Sequence, residues 1–355
     1  MPTGGGQAGE RRRVLVTGGA GFVGSHLVER LLADGCAVTV LDDLSTGRRE
    51  NLDHVDPGGA VRFIEGDARD TLERLVDEDP IDEVYHLAAA VGVELVLRDP
   101  IGAMESNVDL TALVLRFASG RPLEGRGASS PARADRVLIT SSSEVYGKSS
   151  RESFSEDDDV VYGSTSVTRW SYAYAKAIDE FLALAFMRSE GLPVVCARLF
   201  NTVGPRQVGA YGMVLPRFVE AALRGEPITV YGDGSQSRCF CDVRDVCGAL
   251  VGLMRGLPET GGVFNVGGDE PITIGALAEL VRDELGSSSE IRAIPYEEAY
   301  PEGFEDLPKR RPDLARIRSA VGYEPKIPLR DTVRDIAAWV ERGGRSSGRR
   351  SGAGA

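Results

Sequence analysis

The sequence is short of several things, and each shortage narrows what the chain can do. Its 41 lysines and arginines are outnumbered by 54 aspartates and glutamates, a formal net charge of −13. Nucleic acids and anionic membranes are held by clustered cations, so neither is expected as a partner. An anionic ligand would have to be bound by a few placed groups. No apolar run approaches the roughly 18 residues of a membrane span. The only histidines, His26, His54 and His86, are scattered. Of the five cysteines, Cys239, Cys241 and Cys247 lie close together, but C-x-C-x5-C matches none of the usual zinc spacings. No metal site is expected; buried thiols and isolated histidines are. An odd number of cysteines with no secretory signal ahead of them fits a reducing cytoplasm. Internal repeats are absent.

What the chain does have is core. At 355 residues and 42% hydrophobic, it is long enough for two domains or one large α/β unit with additions. Residues 1–10 and 343–355 are Gly-, Ser- and Arg-rich and are expected to be disordered. Between them, RVLVTGG, AVTVLDD, AVRFIEGD, EVYHLAA, RVLITSSS and PVVCARLF read as short buried strands separated by helical patterns. That alternation implies a doubly wound parallel sheet of Rossmann type, with helices on both faces. The polar stretch 119–135 interrupts it as a surface loop. After about residue 200, Gly- and Pro-rich loops separate short helices such as MVLPRFVEAALRG and TIGALAELVRDELG. We expect a dinucleotide-binding domain over 11–199, with part of 238–267 returning to it. A smaller substrate-binding α/β domain is expected from 200–237 and 268–342.

The segment VLVTGGAGFVGSHL sets Gly19, Gly21 and Gly24 in G-x-G-x-x-G register between strand and helix, with Gly18 ahead of them. Glycine allows the tight turn and the close approach of backbone to pyrophosphate, which sits at the helix N-terminus. Gly18, Gly19, Ala20, Gly21, Phe22, Val23 and Gly24 are therefore candidate cofactor contacts. Asp42, about twenty residues on with Asp43 beside it, ends the second strand and can accept the ribose hydroxyls of NAD. Arg48 and Arg49 nearby leave NADP open.

In WSYAYAKAID, Tyr172 and Lys176 share one helix face, with Tyr174 nearly opposite. Tyr174, Ile178, Phe181, Leu182 and Ala185 recur as the apolar stripe of a helix docked on a core. The face of Tyr172 and Lys176 continues into Asp179 and Glu180, so it is not a core stripe. By itself such a pair is usually a solvated surface contact rather than a catalytic one.

Together, TGGAGFVG, HLAA at 86–89, SSSEVYG at 141–147 and Tyr172-x-x-x-Lys176 resemble the extended short-chain dehydrogenase/reductase family, over roughly residues 12–340. The resemblance implies an enzyme that uses NAD on a nucleotide sugar. Asp67 and Ala68 would meet the adenine, and Leu87, Ala88, Ala89 and Asn107 would border the cofactor. Tyr172 would be the base, Lys176 would lower its pKa and bind the nicotinamide ribose, and Ser142 would donate to the forming carbonyl. Asn201 and Arg238 would hold the sugar diphosphate and Tyr231 the base. The resemblance also implies a homodimer joined by a four-helix contact to which the helix of Tyr172 contributes.

Ser143 followed by Glu144, and KRRPD with Arg310, are most similar to the UDP-glucuronate decarboxylases. The likeness makes Ser143, Glu144 and Arg310 catalytic candidates and places Arg310 against a UDP-linked substrate. One segment, AAAVGVELVLRDP, is closer to the 4-epimerases, and Glu94 within it would repel a sugar carboxylate. A 4-epimerase therefore stays open. So does a non-catalytic NAD-binding regulator, against which the intact Ser142, Tyr172 and Lys176 argue.

Overall fold

A computed structural model of the chain describes residues 11–55, 60–75, 81–89, 100–123, 133–209, 213–256, 261–295, 298 and 309–344. Glu94, residues 1–10 and all of 343–355 but its first two residues lie outside the described residues, as does most of the 119–135 loop. The strands in chain order are β1 (Arg13–Thr17), β2 (Ala37–Asp42), β3 (Val61–Glu65), β4 (Ile81–His86), β5 (Ala134–Ser142), β6 (Val194–Leu199) and β7 (Thr202–Val203). Then follow β8 (Ile228–Tyr231), β9 (Ser237–Cys239), β10 (Cys241–Asp242), β11 (Gly262–Val266), β12 (Pro271–Thr273), β13 (Ile291–Ile294) and β14 (Lys309–Arg310). The helices are α1 (Phe22–Ala33), α2 (Ala68–Leu75), α3 (Pro100–Ser119), α4 (Ser171–Glu190), α5 (Val214–Arg224), α6 (Val243–Gly256), α7 (Ile274–Glu284), α8 (Ala315–Val321) and α9 (Leu329–Glu341).

Seven parallel strands form the main sheet in the order β11-β6-β5-β4-β1-β2-β3. Their buried runs, such as Val14, Leu15 and Val16, suit strands covered on both faces. One face is packed by α1, α6 and α8 through Leu27, Leu31, Leu250 and Ile317. The other is packed by α2, α3 and α4 through Leu72, Leu115, Phe117 and Phe186. The strand order reverses between β1 and β4, and in such sheets a ligand binds in the crevice at that reversal. A separate core under α5, α7 and α9, built on Phe218, Val230, Leu277 and Ile336, lies in the part of the chain after residue 200.

The reading of α4 needs a correction. Ile178 and Phe181, expected on the core, are 40% and 71% exposed, whereas Lys176, Asp179 and Glu180 are buried. Small residues, Ala173, Ala175 and Ala183, let this face approach the sheet and α3 closely. Its charges are paired there, Lys176 with Asp179 and Glu180 with Arg198, which is the condition for burying them. Helical period shows that a stripe exists but not which stripe meets the core.

Candidate active site

The phosphate turn leaves no space for side chains where backbone must approach backbone. Gly18 has φ +72°, and a Cβ there would lie 2.6 Å from the Ala88 nitrogen. A Cβ on Gly24 would lie 2.1 Å from the Gly18 oxygen. Gly21, by contrast, is the extended N-cap of α1 with no side-chain cap, so the first amides of the helix are left for a ligand. These features fit the pyrophosphate of a dinucleotide. The Asp42 carboxylate joins the turn to β2, accepting Ala20 N and Leu44 N, each at 2.9 Å. Burial raises its pKa. Its remaining lone pairs are those that could accept ribose hydroxyls. Asp43 and Asp67 are exposed and accept amides of their own turns, Ser45 N and Arg69 N, while Ala68 opens α2 beside Asp67. Leu87 and Ala88 run past the end of β1, with Leu87 N donating to Thr17 O, and Asn107 is buried on α3.

Beside this crevice, β5 ends at Ser142, whose Oγ accepts Glu144 N at 3.2 Å and caps the short 3-10 turn Ser143–Tyr146. Ser143 is buried within that turn. Tyr172 lies in the first turn of α4 beside Ser142, whose hydroxyl favours its ionised form. Loss of water raises its pKa, and the carboxylates of Glu144 and Asp179 raise it further. The expectation that Lys176 lowers this pKa is corrected for the protein by itself. The Lys176 ammonium is turned to Asp179 Oδ2 at 3.0 Å, which absorbs much of its charge.

Glu144 lies between two arginines. Arg310 Nη1 donates to Oε1, and Arg169 Nη1 lies 3.0 Å from Oε2. Removal from water opposes its ionisation, but the paired guanidiniums prevail and hold the pKa down at about 2. The parallel register of β14 on β9 sets Arg310 directly opposite Arg238. A cleft of about 210 Å³ is lined by Glu144, Arg169, Asn201, Arg217, Tyr231, Arg238 and Arg310, among others. Asn201 sits at φ +25°, its amide donating to Cys239 O at 3.1 Å. Arg217 donates to Tyr231 OH at 2.8 Å and covers its ring, 4.6 Å from the centroid. In an acidic chain, one cleft thus gathers Arg169, Arg217, Arg238 and Arg310 around a single glutamate. Such a surplus of cations suits a substrate with several negative charges.

The sequence reading missed Arg169 and Arg217. Arg169 carried a signal, a cation three residues before Tyr172 in TRWSY. Arg217, in LPRF, carried none beyond its charge. The candidates Ser142, Glu144, Tyr172, Asn201, Tyr231, Arg238 and Arg310 do converge at this end of the sheet. No group of His, Cys, Asp and Glu suited to a metal occurs among the described residues. Nor, among them, is any helix long and apolar enough to cross a membrane.

A Rossmann-type sheet with this turn and this cationic cleft defines an NAD-dependent enzyme acting on nucleotide sugars. The chain belongs to the NAD dependent epimerase/dehydratase family, whose model matches residues 14–267. It is 37% identical over 330 residues to a UDP-N-acetyl-alpha-D-glucosaminuronate decarboxylase of Bacillus cytotoxicus, covering 93% of this chain and 98% of that protein. It is 35% identical to UDP-glucuronic acid decarboxylase 1 of Danio rerio, covering 94% and 73% respectively. Among solved structures, it superposes with a TM-score of 0.81 on the UDP-N-acetylglucosamine 4-epimerase of Methanobrevibacter ruminantium in complex with UDP-N-acetylmuramic acid. The two are 29% identical, and the match covers 94% and 99% of the two chains.

Proposed function

We propose that the protein is a decarboxylase of UDP-linked sugar acids, with UDP-glucuronate the first substrate to test and a UDP-pentose such as UDP-xylose, or its 4-keto precursor, as product. The observation that carries this reading is the Glu144 carboxylate held between Arg169 and Arg310 beside Tyr172. Guanidiniums already arranged around one carboxylate offer the donor geometry that a second, on the sugar, would need. The names of the relatives support the same chemistry.

In the proposed reaction, NAD held by the glycine turn and Asp42 would supply a reversible hydride acceptor for C4 and, while oxidised, a positive charge that favours phenolate at Tyr172. The Tyr172 phenolate takes the C4 hydroxyl proton. With C4 a ketone, C6 is the carboxylate of a β-keto acid. The C5–C6 bond breaks, CO₂ leaves, and its bonding electrons pass into the C4 oxygen as an enolate. Ser142 and the newly protonated Tyr172 donate to that oxygen. Arg310, or a water held by Glu144, protonates C5, and Tyr172 returns its proton when C4 is reduced. Lys176 would bind the nicotinamide ribose, Ser143 would support the turn carrying Glu144, and Asn201, Arg238 and Tyr231 would hold the diphosphate and base. In this arrangement residues 11–199, with β11, form the cofactor domain, and the core after residue 200 forms the substrate domain.

A 4-epimerase is the second reading, favoured by the likeness to the Methanobrevibacter ruminantium enzyme. Incubation with UDP-glucuronate, and separately with UDP-N-acetylglucosaminuronate, distinguishes the two. Release of CO₂ supports the decarboxylase. An epimeric sugar without gas rejects it in favour of the epimerase, and neither product from either substrate rejects both.

The exposed apolar side chains Ile101 and Met104 on α3 and Ile178 and Phe181 on α4 supply a contact suited to a four-helix homodimer. Free, buried cysteines at all five positions accord with a cytoplasmic setting.

A further inference from the structure

Several buried groups that the proposed chemistry leaves unused stand in one line behind Lys176. Asp179 accepts the lysine ammonium at 3.0 Å, and the two side chains are 1% and 3% exposed. From α3, Thr111 stands beside the Asp179 carboxylate, whose charge its hydroxyl stabilises, although Asp179 Oδ1 itself has no hydrogen-bond partner among the described residues. Thr111 Oγ1 is 3.2 Å from His86 Nε2 at the end of β4. His86 Nδ1 is 2.7 Å from Thr17 Oγ1 at the end of β1. Thr17 Oγ1 accepts Ala88 N at 3.4 Å.

The chemistry of these groups gives the line one polarity. The Ala88 amide can only donate, so the Thr17 hydroxyl proton is free for His86 Nδ1. That nitrogen then accepts, Nε2 carries the ring proton and donates to Thr111, and the Thr111 proton is left for the carboxylate. A charged imidazole would break the sequence, because both ring nitrogens would donate. Burial, and next the Lys176 charge, press the His86 pKa down to about 3, which keeps the ring neutral.

We infer that Asp179 is a positioning residue for the Tyr172–Lys176 pair, holding the lysine ammonium while Thr111, His86 and Thr17 tie it to the phosphate turn and the Leu87–Ala89 strip. The inference rests on the functional reading of Tyr172 and Lys176 given above. Through it, a line of polar side chains, hydrogen-bonded from Thr111 to Ala88, runs from the lysine's counter-ion to the pyrophosphate turn. The other charged or titratable groups packed around the pair are accounted for. Glu180 of α4 is taken by Arg198 of β6 and Ser141 of β5, and Glu144 by its arginines. Buried Cys196 of β6 has its pKa pushed well up, which keeps the thiol uncharged, and His86 of β4 is neutral. Among the described residues, Asp179 is the one carboxylate that pairs with Lys176.

Asp179→Asn keeps the shape of the side chain and removes its charge. The phenolate of Tyr172 is then favoured twice, by loss of a like charge and by release of the Lys176 charge from its counter-ion. Turnover falls nonetheless, because the lysine is no longer fixed. A merely structural role would lower turnover without moving the phenol titration. The experiment uses the holoenzyme as purified and follows phenolate absorbance against pH, with Tyr172→Phe as the subtraction reference. The expected result is a Tyr172 titration moved down by about one unit in Asp179→Asn, with kcat reduced about tenfold or more and a smaller change in KM. Thr111→Val should move both quantities in the same direction by less, and Thr111→Ser should restore them. If Asp179→Asn does not fold, the threonine pair decides alone. An unmoved titration in every folded variant overturns the inference. Full activity in Tyr172→Phe would instead overturn the functional reading beneath it.

Discussion

Arg310 and Glu144 are 166 residues apart in sequence, yet the arginine Nη1 donates to the glutamate Oε1 within the cleft. Arg169 takes the other carboxylate oxygen at 3.0 Å. The three together make a charged cluster that no single stretch of the chain contains. Arg169→Met should leave the fold and NAD content intact and raise KM for UDP-glucuronate about tenfold or more, since a charge-assisted contact is lost. Steady-state kinetics check this, and an unchanged KM would remove Arg169 from substrate binding.

In the proposed reaction, Tyr172 is the group on which proton transfer depends. Tyr172→Phe keeps the ring and removes the hydroxyl whose ionisation Ser142 favours. Turnover is expected to fall by about 10²-fold or more with NAD binding preserved. Rapid-quench turnover and the NAD content of the purified variant measure the two effects separately.

Gly18 has both a positive φ and backbone against its missing Cβ, with Ala88 N 2.6 Å away from where that atom would stand. Gly18→Ala must shift either the turn or the Leu87–Ala89 strip. NAD affinity is expected to drop at least about tenfold, which corresponds to about 1.4 kcal/mol. Cofactor binding followed by fluorescence or calorimetry tests it, and unchanged affinity would place the dinucleotide elsewhere.

His86 makes stability depend on pH in a calculable direction. Its pKa falls from 6.5 when unfolded to about 3 when folded, so between those values the unfolded chain binds more protons. Stability attributable to the neutral ring is fully present above pH 6.5 and is lost as pH falls toward 3, at up to about 1.4 kcal/mol per pH unit. Denaturant unfolding across that range should show a shallower pH slope in His86→Gln. An identical slope would mean that the ring is not buried neutral. Glu144 acts in the same direction at lower pH. Its contribution is present above 4.5 and lost as pH falls through about 2.

Phe181 is 71% exposed on α4 and Ile101 is 71% exposed on α3. Phe181→Glu should therefore cost little folding stability while converting the proposed homodimer to a monomer, as sedimentation and thermal unfolding would report. A variant that sediments like the original protein would exclude this face from the dimer contact.

Much of the fold and part of the site could be read from residue order, for an identifiable reason. A strand, a glycine turn and a helix N-terminus are adjacent along the chain, and so are Ser142 and Glu144 or Tyr172 and Lys176. Their relations are set by backbone geometry over a few consecutive residues. Tertiary structure alone decided which face of α4 is buried, because amphipathic period does not say whether Ile178 and Phe181 or the paired Lys176 and Asp179 meet the sheet. It alone brought Arg169 and Arg310 to Glu144 and assembled Thr17, His86 and Thr111 behind Asp179. It also determined that the Tyr172 pKa in the protein is raised, since that direction depends on lost water and on charges supplied by distant parts of the chain.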